Sequence, residues 1–384
     1  MSFFCSCLGQ VFHARRVCAF LNCAASWRME EKMNVLDLFS GCGGLSYGFQ
    51  NAGFHVVLGV DFDDAALRTF RRNHIASEGA KVDLFRDDCM DQIESLLDGR
   101  KIDVIVAGPP CQGFSMTGTR RFDDPRNGLY LRVFEAVSRF GPKAFVIENV
   151  RGMASLYKGR VKEEILRRFT ALGYNVSWRI VCAADYGVPQ IRHRLIFVGL
   201  RKELGQFEFP EPILDKAHYV GCREAIGDLP SRTDGLGAEI DEYDCVPLTP
   251  YQRRMRGVQG ILHNHVGTNH SDYVKSVIAL VPPGGNHKDL PEGIGDRRRF
   301  NAAWTRYHPD RPSNTVDTGH RNHFHYQYDR VPTIREFARL QSFPDNFVFF
   351  GTKTQQNRQV GNAVPPLLGQ ALAAQLKKYL KEEP

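Results

Sequence analysis

Over the first two hundred positions, apolar residues fall into short runs separated by stretches of mixed polarity. Asn34–Phe39, Val56–Asp61, Ile102–Ala107 and Ala144–Ile147 are such runs, and glycine, proline or acidic residues close them. Short apolar runs bounded by turn formers predict buried strands rather than helices. Between them, Leu45–Ala52, Asp63–Asn73, residues 128–140 and Val161–Leu172 carry helix-like spacing. Two more strands, Asn175–Ala183 and Arg194–Leu200, are expected to pair as antiparallel neighbours. Strands alternating with helices imply a doubly wound α/β sheet, whose ligands sit at the carboxyl ends of the strands.

From about Arg201 the pattern weakens. Pro210, Pro212, Pro230, Pro247, Pro250, Pro282 and Pro283 interrupt the chain. Arginines cluster at 253–256 and 297–299, and histidines and aromatics mix with arginine over 320–326. Residues 201–332 are therefore read as a smaller, loop-rich second domain. Thr333-Ile334-Arg335-Glu336 then has the form of a helix start with an acidic first turn. A last helix is expected over Pro366–Leu380, with Pro365-Pro366 at its start.

Charge and cysteine usage narrow the class. The formal charge of +7 permits a polyanionic partner without requiring one. No apolar run approaches the roughly 20 residues that span a bilayer, so no membrane partner is expected. Ten cysteines, mostly single and within or beside apolar runs, form neither a disulfide framework nor paired C-x-x-C ligands. A reducing, cytoplasmic setting is expected. Cys5, Cys7, Cys18 and Cys23 crowd the first 32 residues beside Arg15-Arg16. The apolar core there is short and its charges come late for a signal peptide. Residues 1–32 are read as a poorly ordered extension, or as preceding a natural start at Met29 or Met33.

The candidate chemistry lies at strand ends. Ser40-Gly41-Cys42-Gly43-Gly44 follows the first strand, and such a turn lets backbone approach a ligand at a helix N-terminus. Asp61 ends the second strand, about 20 residues on, where a ribose-binding carboxylate belongs. Ser46 replaces the third glycine of G-x-G-x-x-G, which tilts the choice from a dinucleotide toward S-adenosylmethionine without closing it. Cys111 stands on the stiff Gly108-Pro109-Pro110 turn after the third strand, and Glu148 ends the next. A thiolate adding to C6 of cytosine makes C5 nucleophilic toward an activated methyl group, splitting one hard step into two. A carboxyl group at ring N3 donates a proton as charge develops there, which partial burial favours. Arg192 and Arg194, at alternate positions before an apolar strand, share one face and suit phosphate or the substrate ring. His263, His265 and His270 lack cysteine or carboxylate support, so no metal is expected.

Taken in order, these motifs resemble the cytosine-C5 DNA methyltransferases, in particular the single-chain bacterial modification enzymes. The likeness rests on Asp37-Leu38-Phe39-Ser40-Gly41-Cys42-Gly43-Gly44, Pro109-Pro110-Cys111-Gln112, Glu148-Asn149-Val150 and Gln190-x-Arg192-x-Arg194. It continues through Arg335-Glu336 with Gln341-Ser342-Phe343-Pro344-Asp345, and Gly361-Asn362-Ala363-Val364-Pro365-Pro366. Residues from about 34 to 200 and 330 to 370 carry it.

The resemblance implies a Rossmann-like S-adenosylmethionine-dependent methyltransferase domain over 33–200, a target-recognition domain over 201–332, and a segment over 333–384 that returns to the catalytic domain. It implies Cys111, Glu148, Arg192 and Arg194 as catalytic. For the cofactor it implies Phe39 and Phe62 about the adenine, Asp61 on the ribose, and Asp88 and Cys89 at the adenine edge. Gly41, Gly43, Gly44 and Leu45 supply the turn, Pro110 and Leu129 line the pocket, and Asn362 and Ala363 close it. Ala363 stands where the family often has serine, so a hydroxyl contact is lost. Ser115, Arg120, Arg121 and Arg126 fall in a loop that closes over DNA in relatives, and Thr315 and Arg321 are implied as further DNA contacts. Double-stranded DNA is the implied partner, with a flipped cytosine, a possible cognate restriction endonuclease, a monomeric state and a place on the nucleoid. Beside this reading stand a nicotinamide-dependent dehydrogenase and two closer rivals. Transfer-RNA methylation is one, although the Cys-Phe-Thr tripeptide associated with it is absent from the middle domain. A non-catalytic DNA-binding protein on the same fold is the other, although Cys111, Glu148 and both arginines are intact.

Overall fold

In the computed structural model, β1 (Asn34–Leu38), β2 (His55–Asp61), β3 (Glu78–Lys81), β4 (Val104–Ala107), β5 (Ala144–Val150), β6 (Tyr174–Cys182) and β7 (His193–Arg201) form one sheet. Its order is β3-β2-β1-β4-β5-β7-β6. The structure describes residues 32–110, 129–258, 260–294, 303–319 and 322–381. The first five strands are parallel; β7 runs antiparallel to β6, as expected, and also to β5, which places it inside the sheet.

The strands are apolar on both faces because both faces are covered. Val35, Val56, Val104, Val106, Val146 and Val198 enter one core layer, against α1 (Gly44–Asn51) and the C-terminal helix. Leu36, Leu58, Ile105, Ile147 and Phe197 point to the other. That second layer packs under α3 (Cys89–Leu97), α4 (Leu129–Phe140) and α5 (Arg160–Ala171). The two-residue alternation of a strand thus sorts the apolar set into two layers. Helix α2 (Asp64–Asn73) is capped by Asp63, whose carboxylate accepts from Ala65 and Ala66 N–H. Such a cap is worth about 1 kcal/mol.

Beyond β7 the elements are short. They are α6 (Cys222–Ile226), β8 (Ile240–Glu242), α7 (Pro250–Arg256), β9 (Ile261–His263), α8 (Asp272–Leu280), β10 (Thr305–Arg306) and β11 (His323–Phe324). Helices α9 (Ile334–Leu340), α10 (Lys353–Asn362) and α11 (Pro366–Lys381) follow. Thr333 caps α9 through a reciprocal box with Glu336, the local reason that this helix is legible in the sequence. Helix α11 packs along α1, so the end of the chain lies against its beginning at the sheet. Residues from Met33 onward cluster as one compact unit. Residues 1–31 lie outside the described residues, and no helix among those described is long and apolar enough to cross a membrane.

Candidate active site

The chain leaves β1 toward β2 and β3, then returns to β4 on the other side of β1. A crevice between the carboxyl ends of β1 and β4 results, the usual ligand position in such a sheet. Both the glycine turn and the Pro-Pro turn begin there.

Phe39, Gly41 and Gly43 wind the turn after β1 with φ of 58°, 53° and 89°. A Cβ on Gly43 would lie 2.3 Å from His74 Cε1, so a side chain there is excluded twice over. Gly44 and Leu45 are buried in the first turn of α1. Asp61 ties this turn to the end of β2. Gly41 N–H donates to its Oδ2 at 2.8 Å and Asp63 N–H to its Oδ1 at 2.9 Å. Burial pushes its carboxyl up, against these backbone donors. Phe62, beside it, is 66% exposed, an open aromatic face at the crevice rim.

Below the turn lies a buried polar group. Asp37, on the α1 side of β1, is pushed up to about 7 by burial, opposed by a hydrogen bond from Ser46 and reinforced by Asp61. Its Oδ2 has no partner among the described residues, and neither has Ser40 Oγ. His74 stacks on Phe70 with ring centroids 4.1 Å apart, and its Nε2 lies 3.3 Å from Ser46 Oγ. Burial lowers its pKa to about 4, so a neutral ring floors the turn. Orphaned oxygens under a glycine turn, a strand-end carboxylate and an open ring suit a nucleoside that carries donor or cationic groups.

Two implied cofactor residues sit in different settings. Cys89 is fully buried in the apolar layer with Met90 and Ile93. Asp88 is exposed, with both oxygens held by Arg86 at 2.9 and 3.0 Å. Leu129 is buried, and Pro110 half-buried. Asn362 is exposed at the end of α10, and Ala363 Cβ lies 3.1 Å from where a Cβ on Gly44 would be. The last segment thus does reach the turn.

On the reaction side, Ala107 of β4 stands level with Ile147 of β5. Asn149 Nδ2 donates to Pro109 O at 3.2 Å and fastens the Pro-Pro turn to the strand that carries Glu148. Glu148 is 8% exposed, and its Oε1 pairs with Arg194 Nε at 2.7 Å. Its Oε2 faces Gly108, 3.7 Å from where a Cβ on that residue would sit. Arg194 is further fixed by its own donation to His193 O. One carboxylate oxygen is therefore anchored and the other looks under the turn that leads to Cys111. Cys111, Ser115, Arg120, Arg121, Arg126 and Arg321 lie outside the described residues.

Arg192 departs from expectation. It is 1% exposed, and its guanidinium donates to the carbonyls of Val316, Gly361 and Ala363. Both Nη atoms are spent on main chain, so it does not present them to phosphate or to a base. Thr315 likewise spends its hydroxyl on Ile191 O at 2.9 Å, although it remains exposed. Arg256, from the first arginine cluster, is buried on Asp228 and lies over the Tyr243 ring, whereas Arg253 is exposed. His323 and His325 are core residues too, stacked on Tyr307 and Tyr326. His265 is buried between Thr333 Oγ1 and Pro230 O, each 2.8 Å away. Asp37, Asn149, Gln190 and Gln341 sit in the motifs but received no role from the sequence. For Asp37 the signal was a lone charge inside an apolar strand.

The family model described as C-5 cytosine-specific DNA methylase matches residues 33–378. The chain belongs to this family. A methyl donor and DNA are therefore its two reactants. Type II methyltransferase M1.HphI of Haemophilus parahaemolyticus is 41% identical over 360 residues, covering 91% of this chain and 88% of that protein. Type II methyltransferase M.DdeI of Desulfomicrobium norvegicum is 37% identical over 374 residues, with 91% and 89% covered. Among solved structures, a prophage-encoded protein of E. coli described as a DNA modification methyltransferase superposes with a TM-score of 0.76 at 29% identity. That match covers 91% of this chain and all of the other.

Proposed function

We propose that this methylase transfers a methyl group from S-adenosyl-L-methionine to C5 of a cytosine flipped out of a specific duplex DNA sequence. The observation that carries the reading is the fastening of the Pro109-Pro110 turn, by Asn149, to the strand end where Arg194 anchors one oxygen of Glu148. When bound, S-adenosylmethionine supplies an electrophilic methyl group on a sulfonium. The Gly41–Gly44 turn, Asp61, Phe62 and the orphaned Asp37 and Ser40 oxygens hold it at the β1 end. The Cys111 thiolate adds to C6, forming the S–C6 bond and moving the ring electrons toward C5. Glu148 Oε2 meets N3 and supplies the proton that the ring needs as it accepts those electrons. Arg194 holds the carboxyl group in place without touching the base through Nε. C5 takes the methyl group, solvent takes the C5 proton as the thiolate is expelled and the C5–C6 double bond re-forms, and N3 returns its proton to Glu148.

In this reading residues 33–200 and 333–384 make the catalytic part, and 201–332 present the DNA. The Type II names of the relatives support a companion restriction endonuclease reading the same site, with the methylase working as a monomer on cytoplasmic, nucleoid DNA. Labelled S-adenosylmethionine, offered with unmethylated duplex DNA and with transfer RNA, tests the reading. Label should enter DNA only, as 5-methylcytosine in one sequence context. Label on transfer RNA, or on neither by a folded protein, overturns it.

A further inference from the structure

Gln190 and Arg192 do not touch the crevice, yet they join three parts of the chain that meet beside it. Gln190 is fully buried, and its amide is saturated. Its Nε2 donates to Leu340 O at 3.1 Å and to Gln341 Oε1 at 2.9 Å, while its Oε1 accepts from Val316 N at 3.0 Å and from Arg192 Nη1 at 3.4 Å. Arg192 reaches Val316 O at 3.2 Å on one side, and Gly361 O at 2.8 Å and Ala363 O at 3.1 Å on the other. Gln341 completes the knot by donating to Val360 O at 2.7 Å. No carboxylate pairs with Arg192 among the described residues, and its Nε has no partner at all there. A buried cation held only by carbonyl dipoles is costly, and a hydrophobe of the same volume often does as well or better for stability. Stability is thus a weak reason for an arginine here.

The three acceptor carbonyls belong to two segments, the loop that carries Thr315, implied above as a DNA contact, and the turn that reaches Gly44. Val316 lies in the loop that runs from Ser313 to Gly319 and is zipped to the 189–191 turn, with Ile191 N on Ser313 O and Ser313 N on Pro189 O. Gly361 and Ala363 flank Asn362, at the turn that reaches Gly44. The loop and the turn also touch directly, since a Cβ on Gly361 would lie 2.2 Å from Asp317 O. Two residues beyond Arg192, Arg194 anchors Glu148. The guanidinium is rigid and planar, so moving the 313–319 loop must move its other carbonyl partners or break a bond.

We propose that Arg192, locked by Gln190, is a positioning residue that couples DNA engagement at the 313–319 loop to closure of the 361–364 turn on the methyl donor. The proposal rests on the methyl-transfer reading above. Binding of either ligand then favours the conformation that the other needs, and the coupling is reciprocal. It makes cofactor hold tighter on DNA and relax once the DNA leaves.

The test measures the affinity of the full chain for S-adenosylhomocysteine, alone and with saturating duplex DNA that the protein methylates in the transfer assay. Wild type should bind at least about fivefold tighter with DNA. Arg192→Lys cannot span three carbonyls, and its ratio should fall toward one. Thr315→Val, exposed and therefore safe for folding, removes the Ile191 tie and should lower the ratio part of the way. General loosening weakens both affinities together and leaves the ratio unchanged. A wild-type ratio of one, or a wild-type ratio kept by both variants, overturns the coupling while leaving the methyl-transfer reading intact. Failure of wild type to methylate any DNA overturns that reading and the coupling with it.

Discussion

The crevice end of the sheet and the region around α9 are built on opposite principles. At the crevice, main chain at positive φ and one strand-end carboxylate end an apolar sheet, with two orphaned oxygens buried beneath the turn. Around α9, charge is buried and paired. Arg339 is held between Asp228 and Asp345, Arg256 shares Asp228, and Arg330 grips Glu336 with both nitrogens at 2.8 and 2.6 Å. Arg335, fully buried, spends its guanidinium on the carbonyls of His263, Pro344 and Phe347. The sheet is held by apolar area and leaves its polar groups free for ligands. The α9 region has few long elements and is held by directional pairs, which use up Arg256, Arg330, Arg335 and Arg339. An arginine cluster in a loop-rich segment of a DNA enzyme is thus not by itself a phosphate site.

The largest separation between the two should come from Arg339→Met. It takes from buried Asp228 and Asp345 the cation they share, leaving Arg256 on the one and Tyr243 on the other, at a cost of about 3 kcal/mol, read as a fall in the urea midpoint. Arg253→Ala, on the exposed face of the same short helix cluster, should stay within about 0.5 kcal/mol. Equal losses would mean that the buried pairs do not carry this region. At the sheet, Glu148→Gln should cut kcat by about 10²–10⁴-fold while the cofactor still binds. Retained turnover would remove Glu148 from the chemistry. Phe62→Ala should weaken cofactor binding by an amount in keeping with the roughly 1–3 kcal/mol of base–aromatic stacking, with an unchanged melting temperature. A melting temperature that falls with the affinity would make Phe62 a packing residue instead.

The smallest effect is in acid. His74 and His265 are lowered to about 4 and His325 to about 3, each by burial first, and His323 is lowered for the same reason. Between about pH 6.5 and 4 the unfolded chain therefore binds more protons at these histidines than the folded one, and stability falls as pH falls. Asp37, raised to about 7, works the other way, gaining stability as pH falls through 7 toward 3.8. The buried histidines, with His263 also lowered, outweigh the raised Asp37 and Asp61, so the melting temperature should drop from pH 7 to pH 4.5. Asp37→Asn should steepen that drop, and a flat profile would contradict the buried neutral histidines.

Legibility followed the same divide. Strands such as Val104–Ala107 and Ala144–Val150 are apolar on both faces and declare themselves, as does the Thr333–Glu336 cap. Strand β3, with Gly79 in a four-residue run, and α10, which buries Gln356, Asn357 and Gln359 beside the single aliphatic Val360, carry no such signal. Helix α3 did carry one, Met90, Ile93 and Leu97 at helical spacing, hidden behind the acidic turn that precedes it. The glycine and Pro-Pro motifs lie at the adjacent ends of β1 and β4, but they could not say which arginine is spent on main chain. Arg192 and Arg194 differ only in which carbonyls and carboxylates the fold brings near, and those partners lie up to 171 residues away.

The claim on which the rest depends is that the strand-end turn after β4 delivers a nucleophile to a base beside Glu148. Duplex DNA carrying 5-fluorocytosine in the methylated position tests it directly, because fluorine cannot leave C5 as the proton does. With S-adenosylmethionine, the protein should form a denaturant-stable adduct whose linked peptide contains Cys111, and Cys111→Ser should form none. Normal methylation without any adduct, or an adduct that survives Cys111→Ser, would contradict it.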